Sequence, residues 1–338
     1  MANAPLVPAS AIDMKGQHDV LSAVLRSIRL TGSLQFGFVP TGEDWFTDTS
    51  PSPYRPPNVL PFHIVAGGSL WLKMNGRLID LQQGDIVAFP DSASHFLGVG
   101  EGSREYSPGD DLPPRPWHAI PILQYGAGER KVRLLCGYLQ SEVVRFKPLM
   151  DALPPLIHVR SRTDGGGWLS ATVRQIVEEV DSPGTGGLSM LERLTEVAFI
   201  ELLRREIRAA AVGSTGWLSA LADPALARCL SAVHAKPTDD WNLASLANTS
   251  GLSRSALAER FETVLGTSPI RYVRDWRLYL ASVALTGTDK AIAQIATEAQ
   301  YGTEAAFNRA FSKAYGSPPA AWRQKAKAWR PPVQPFPS

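Results

Sequence analysis

The sequence predicts an α+β protein of several domains: an N-terminal β-barrel of the jelly-roll kind, a helical linker, and a C-terminal all-α domain with two helix-turn-helix units. Three observations predict it. Short segments between residues 34 and 139 carry β-branched and aromatic residues with period two, separated by Gly, Pro, Asn and Asp. From residue 168 onward the apolar period becomes 3.6. Between 241 and 330, a short helix, a turn and a longer helix occur twice. The 338 residues, 44% hydrophobic and 20% charged, suffice for two or three globular domains. The expected boundaries are 18–155, 156–235 and 236–330.

Residues 1–17 and 331–338 read as loose tails. Residues 18–28 predict a short helix with Val20, Leu21, Val24, Leu25 and Ile28 on its apolar side. Strands follow over 34–39, 59–65, 69–74, 77–81, 85–89 and 131–139. The stretch 98–115 is too long for a plain hairpin and either closes over the barrel mouth or makes a disordered excursion. Trp71, Phe89, Phe96 and Trp117 either line an apolar pocket or belong to the core. Cys136, in an apolar run, reads as a small buried hydrophobe.

Helices are expected over 168–180 and 188–211, parted by Ser, Pro and Gly at 182–187. The second carries Leu191, Leu194, Val197, Ala198, Ile200, Leu202 and Leu203 on more than one stripe, so both sides need cover. The barrel supplies one side, and either a second subunit or the chain itself supplies the other. Asp223 and Pro224 start a further helix, 236–240 is a polar hinge, and His234 caps a helix end. Two cysteines give no disulfide framework and suit a reducing cytoplasm. With no leader-like segment and no run of about eighteen apolar residues, neither secretion nor membrane insertion is expected.

In the C-terminal region Leu243 to Ala247 give an apolar face, Gly251 and Leu252 a turn, and Ser253 an N-cap for a helix through Leu257 and Phe261. Ile292, Ile295 and Ala296 repeat that face, Tyr301 and Gly302 the turn, and Thr303 the cap for a helix through Phe307 and Phe311. Pro269 begins the helix between them, whose side bearing Tyr272, Val273, Trp276 and Leu280 is apolar. About sixteen residues at 1.5 Å each make a rod of roughly 24 Å, fit to hold two reading helices near one DNA turn apart. Twelve Lys or Arg against six Asp or Glu give 241–330 a net charge of +6, whereas the whole chain is +2. Such polarisation suits phosphate binding with steep salt dependence.

These residues, with Gly266, Pro269, Tyr272, Val273, Arg277, Leu278, Ala281, Ala310, Tyr315, Gly316, Pro318, Trp322 and Arg323 at their spacings, resemble the AraC/XylS regulators over the whole of 241–330. One departure is Gln300, where that family usually has Gly before the tyrosine; the left-handed turn would then pass to Gly302. Upstream, Gly84, Asp85, Ile86, Val87, Ala88, Phe89 and Pro90 followed by His95 resemble the second cupin signature, and His63 through Gly67 the end of the first. The resemblance implies an N-terminal cupin-like sensor and a transcription factor acting on promoter DNA and RNA polymerase, cytoplasmic, homodimeric and answering to a small-molecule effector, not an enzyme. The alternative is a metal-dependent cupin enzyme that uses its C-terminal domain as a DNA tether. A catalytic cupin places two His and a Glu before the position of Gly67, and residues 51–62 contain neither.

In a helix-turn-helix the exposed N-terminal part of the second helix meets base edges. That assigns Arg254, Ser255, Ala258 and Glu259 in the first unit and Glu304, Ala305, Asn308 and Arg309 in the second. Arg309 suits guanine, Asn308 adenine and Glu259 cytosine N4. For the effector the candidates are His63, Trp71, Phe89 and His95. No cofactor is required, although His63, His95, His118 and Cys136 are candidate zinc ligands at spacings unlike compact zinc motifs.

Overall fold

The computed structural model describes residues 22, 30–49, 59–114, 117–141, 147–160, 167–209 and 215–328, so both tails and, save Ser22, the expected first helix lie outside it. Ten strands come first: β1 Leu30–Thr41, β2 Trp45–Asp48, β3 Val59–Gly67, β4 Ser69–Met74, β5 Arg77–Gln82, β6 Ile86–Ala88, β7 Phe96–Val99, β8 Ile122–Gly126, β9 Arg133–Ser141 and β10 Ile157–Val159. They form a six-stranded sheet ordered β10-β6-β3-β9-β1-β8 and a four-stranded sheet ordered β2-β7-β4-β5. Pairing is antiparallel except for β1 with β8. Segments 34–39, 59–65, 69–74, 77–81, 85–89 and 131–139 fall on strands as expected, while β2, β7, β8 and β10 are additional.

Alternation along β3 explains how the sheets are used. His63 and Val65 point between the two sheets, into a core with Phe38, Trp45, Leu72, Leu97, Val99 and Leu134. Phe62 and Ile64 point the other way and are equally buried, because helices cover that face. The helices are α1 Lys147–Met150, α2 Trp168–Asp181 and α3 Gly187–Ala209. Side chains of α2 and α3, among them Ile176, Ala198, Phe199 and Leu202, pack on Phe62, Ile64, Ile86 and Leu139 of the large sheet. Both apolar sides of α3 are thus covered mainly within the chain, and Trp168 and Met190 are the large apolar side chains this hairpin leaves exposed.

The remaining helices are α4 Trp217–Ala222, α5 Pro224–Ala235, α6 Leu243–Ser250, α7 Arg254–Leu265, α8 Pro269–Gly287, α9 Ile292–Glu298, α10 Glu304–Tyr315 and α11 Pro319–Ala328. Caps fix their starts where the sequence places them. Asp223 accepts from Ala225 and Leu226, Ser253 from Ala256, Ser268 from Arg271 and Thr303 from Ala306. Proline opens α5 and α8.

The sheet's outer face, α2 to α7 and one side of α8, with Tyr272, Val273, Trp276 and Tyr279, share one continuous core. The other side of α8, with Leu278, Ala281 and Leu285, belongs to a separate core with Ile295, Phe307 and Phe311. Each helix-turn-helix unit is therefore a distinct packing unit joined through α8, whose nineteen residues make a rod of about 28 Å.

Two expectations need correction. His234 does not cap its helix end: it is buried, stacks on Trp276 at 3.9 Å, and its Nε2 lies 2.7 Å from the Tyr272 hydroxyl. The segment 236–240 is not a loose hinge either. Arg277 donates to the Pro237 and Asp239 carbonyls at 2.7 and 2.6 Å, and Trp241 to that of Lys236 at 2.7 Å.

Candidate functional site

The two reading helices expose the residues the sequence assigns to them. On α7, Arg254, Ser255 and Glu259 are exposed and Ala258 half-buried; on α10, Glu304, Ala305 and Arg309 are exposed and Asn308 half-buried. Leu257, Phe261, Phe307 and Phe311 point inward and are buried. Truncating one such aromatic to Ala costs about 3–5 kcal/mol, so they hold the helices rather than touch a ligand.

Charge in this region is divided between structure and surface. Arg260 pairs with Asp223 at 2.6 Å, Lys290 with Glu298 at 2.8 Å, and Arg323 donates to the carbonyls of Leu285 and Lys290. Arg254 and Arg309, by contrast, have no ion pair or hydrogen bond among the described residues. The Asn308 Oδ1 is shielded and has no hydrogen-bond partner, which leaves an acceptor unsatisfied on the face that carries Arg309.

Gln300 itself takes the left-handed conformation, with φ of 63°. The expectation that Gly302 takes over the turn is thus overturned. Gln300 N–H donates to the Thr297 carbonyl and Tyr301 N–H to that of Ala296, closing the helix end. In the first unit Gly251 does this work at φ of 76°.

Between the two sheets of the barrel lies a cavity of about 300 Å³, lined among others by Gln35, Phe36, Phe38, Thr47, His63, Leu97, Cys136 and Tyr138. Of the stretch 98–115, the described residues 98–114 bring Glu105, Ser107, Pro108, Gly109 and Asp110 to its mouth. It is anchored rather than loose. Asp44 accepts from the backbone of Gly102 and Ser103, Phe46 bridges to Glu105, and the buried Tyr106 ring stands 5.0 Å from that of Tyr125.

Of the effector candidates, His63 lines this cavity and His95 stands behind it. Trp71 does not reach it, because Leu70, Leu72 and Met74 take the inward positions of β4; the Trp71 indole lies on the outer face and donates to the Gly100 carbonyl. Phe89 is fully buried against the His95 ring, 3.6 Å away. Phe96 is partly exposed beside Phe46, and Trp117 donates to the Pro113 carbonyl, so neither joins the lining. Gln35, Phe36, Phe38, Thr47, Glu105 and Tyr138 are among the lining residues that sequence patterning misses; a Gln buried in an apolar strand is the available signal.

The candidate metal ligands do not converge on one point. His118 is exposed in a groove beside α2 and α3. The other three stand in a row, with His63 Nδ1 at 3.1 Å from Cys136 Sγ and His63 Nε2 at 2.9 Å from His95 Nε2. The Ala93 carbonyl, 3.0 Å from His95 Nδ1, can only accept, so with both imidazoles neutral the row runs in one direction. His95 carries Nδ1–H, His63 Nε2–H donates to His95 Nε2, and the Cys136 thiol donates to His63 Nδ1. Burial pushes that thiol's pKa well up, in keeping with a protonated donor. Among the described residues no group of three His, Cys, Asp or Glu is placed to hold a metal ion, and this donor set does not fit one.

Comparison with known proteins adds to this picture. Residues 19–208 match the cupin family profile and residues 246–325 that of a helix-turn-helix domain. The chain is 30% identical over 270 residues to a protein of Streptomyces lividans named as an AraC-like transcription regulator, covering 79% of this chain and 88% of that one. It is 31% identical over 276 residues, at the same coverages, to a similarly named protein of Streptomyces antibioticus. Against the HTH-type transcriptional regulator AlkR of Acinetobacter baylyi it is 28% identical over 323 residues, spanning 91% of this chain and 100% of that one.

Proposed function

The chain belongs to the AraC family of transcription regulators, with an N-terminal cupin domain and a C-terminal helix-turn-helix domain that binds DNA; from that premise we propose that it is switched by a small molecule held in the barrel cavity. The observation that carries this is the single apolar core running from the outer face of the cavity-bearing sheet, through α2 to α5, into the first helix-turn-helix unit. A ligand between the sheets changes DNA binding only through different affinity for two arrangements of that core. The barrel performs no chemistry on its ligand and uses no metal. The protein acts in the cytoplasm, as a homodimer whose second copy sits against Trp168 and Met190, and engages RNA polymerase at the promoter.

Base reading falls to the exposed N-terminal turns of α7 and α10. Arg309 contacts guanine, Asn308 adenine and Glu259 cytosine, with Arg254, Ser255, Ala258, Glu304 and Ala305 completing the two surfaces. The lack of a partner for Arg254 and Arg309 among the described residues supports this assignment. Selection of DNA from a random pool by the full chain tests it. The wild type should enrich a two-part motif, and Arg309→Ala and Glu259→Ala should each lose preference at one base, about 1–3 kcal/mol of discrimination. Variants that enrich an unchanged motif would overturn the assignment.

A further inference from the structure

The cavity also constrains what it can hold. We propose that its ligand is an organic cation, an amine or quaternary ammonium on a small aromatic or apolar body. This rests on the barrel cavity being the effector site.

Two carboxylates, Glu105 and Asp110, stand at the cavity mouth, Asp48 reaches its rim from the outward side of β2, and no Lys or Arg lines it among the described residues. Neither Glu105 nor Asp110 has an ion pair or side-chain hydrogen bond among the described residues. His63 turns its ring nitrogens to Cys136 and His95, in the row that ends on the Ala93 carbonyl, and offers none of them to the cavity. Phe36, Phe38 and Tyr138 supply aromatic walls, and ring faces attract ammonium groups while repelling anions. A second observation points to a missing ligand. Thr47 is only 3% exposed and faces the cavity opposite Leu97, yet its hydroxyl has no hydrogen-bond partner among the described residues. Its oxygen opens on the cavity rather than being sealed in the core, and the N–H of a protonated amine or a ligand hydroxyl there gives it a partner. A carboxylate ligand would add like charge to Glu105 and Asp110.

The test is calorimetric titration of the full chain, at neutral pH, with three compounds of one shape: 2-phenylethylamine, 2-phenylethanol and 3-phenylpropanoate. The amine should bind about tenfold or more tightly than the alcohol, and the carboxylate most weakly. Glu105→Gln combined with Asp110→Asn, both at exposed positions, should weaken the amine about tenfold and leave the alcohol unchanged. A third variant, Gly109→Leu, reports on location, because a Cβ there meets nothing within 4 Å and the added bulk narrows the mouth; it should weaken every compound that binds. If the alcohol or the carboxylate binds as tightly as the amine and Gly109→Leu weakens it, the cation is wrong and the effector cavity stands. An amine that binds the amide double variant as tightly as wild type likewise overturns the cation alone. Should none of the compounds bind, or should Gly109→Leu leave their binding unchanged, the effector cavity falls as well.

Discussion

Tyr272→Phe removes one oxygen at the junction of three helices. The Trp217 Nε1–H on α4 donates to the Tyr272 hydroxyl at 2.8 Å, and that hydroxyl lies 2.7 Å from His234 Nε2 on α5. With the hydroxyl proton turned to the imidazole, it donates to Nε2 of a neutral ring that carries its own proton on Nδ1. Burial agrees, holding the His234 pKa down at about 3. Phenylalanine keeps the ring against Phe261 but takes from two buried polar atoms the partner they share. At roughly 1–2 kcal/mol for each lost buried bond, the variant should be less stable by about 2–4 kcal/mol. Urea unfolding of the full chain followed by tryptophan fluorescence measures it, with the midpoint falling at unchanged slope. A loss below about 0.5 kcal/mol would show that other groups take over both atoms, and the tautomer argument would fail with it.

Further expectations concern the same domain. His234 is neutral when folded and has its ordinary pKa when unfolded, so protons bind the unfolded chain preferentially and stability falls as pH drops through the window from about 6.5 toward 3. Between pH 7 and 5 the loss should reach about 2 kcal/mol, and His234→Gln should flatten that part of the curve. A wild type that unfolds at the same urea concentration at both pH values contradicts the buried neutral ring. Gln300→Gly relieves a left-handed residue costing about 1–2 kcal/mol, offset by about 0.5–1 kcal/mol of extra freedom in the unfolded chain. Amides of α9 and α10 should then exchange about two- to fivefold more slowly, and faster exchange would refute the reading.

Signals confined to a few neighbouring residues were legible in the sequence. Ser253 and Thr303 as caps, Pro269 at a first turn and the inward Phe261, Phe307 and Phe311 are all local, and the exposure of Arg254 and Arg309 follows from them. What escaped depends on partners far along the chain. Trp45–Asp48 is a strand because Phe96–Val99 pairs with it, and no periodicity within four residues reveals that. The same register turns Leu97 and Thr47 into the cavity and Phe96 and Phe46 away from it, so choosing aromatics by size picked the wrong side of the strand. Gln300 shows the opposite case, in which the turn geometry prevailed over residue preference.

The split of α8 between two cores makes the paired modules unequal neighbours of the sensor. The nearer one is welded to the barrel's helical cover through Trp217, His234 and Tyr272, so a strain arising there must displace it. The farther one is an outrigger, carried by the rod and by Arg323 across the bend at its end. Exchanging residues 288–328 with those of a relative should therefore retarget half of the DNA site while leaving the ligand response intact.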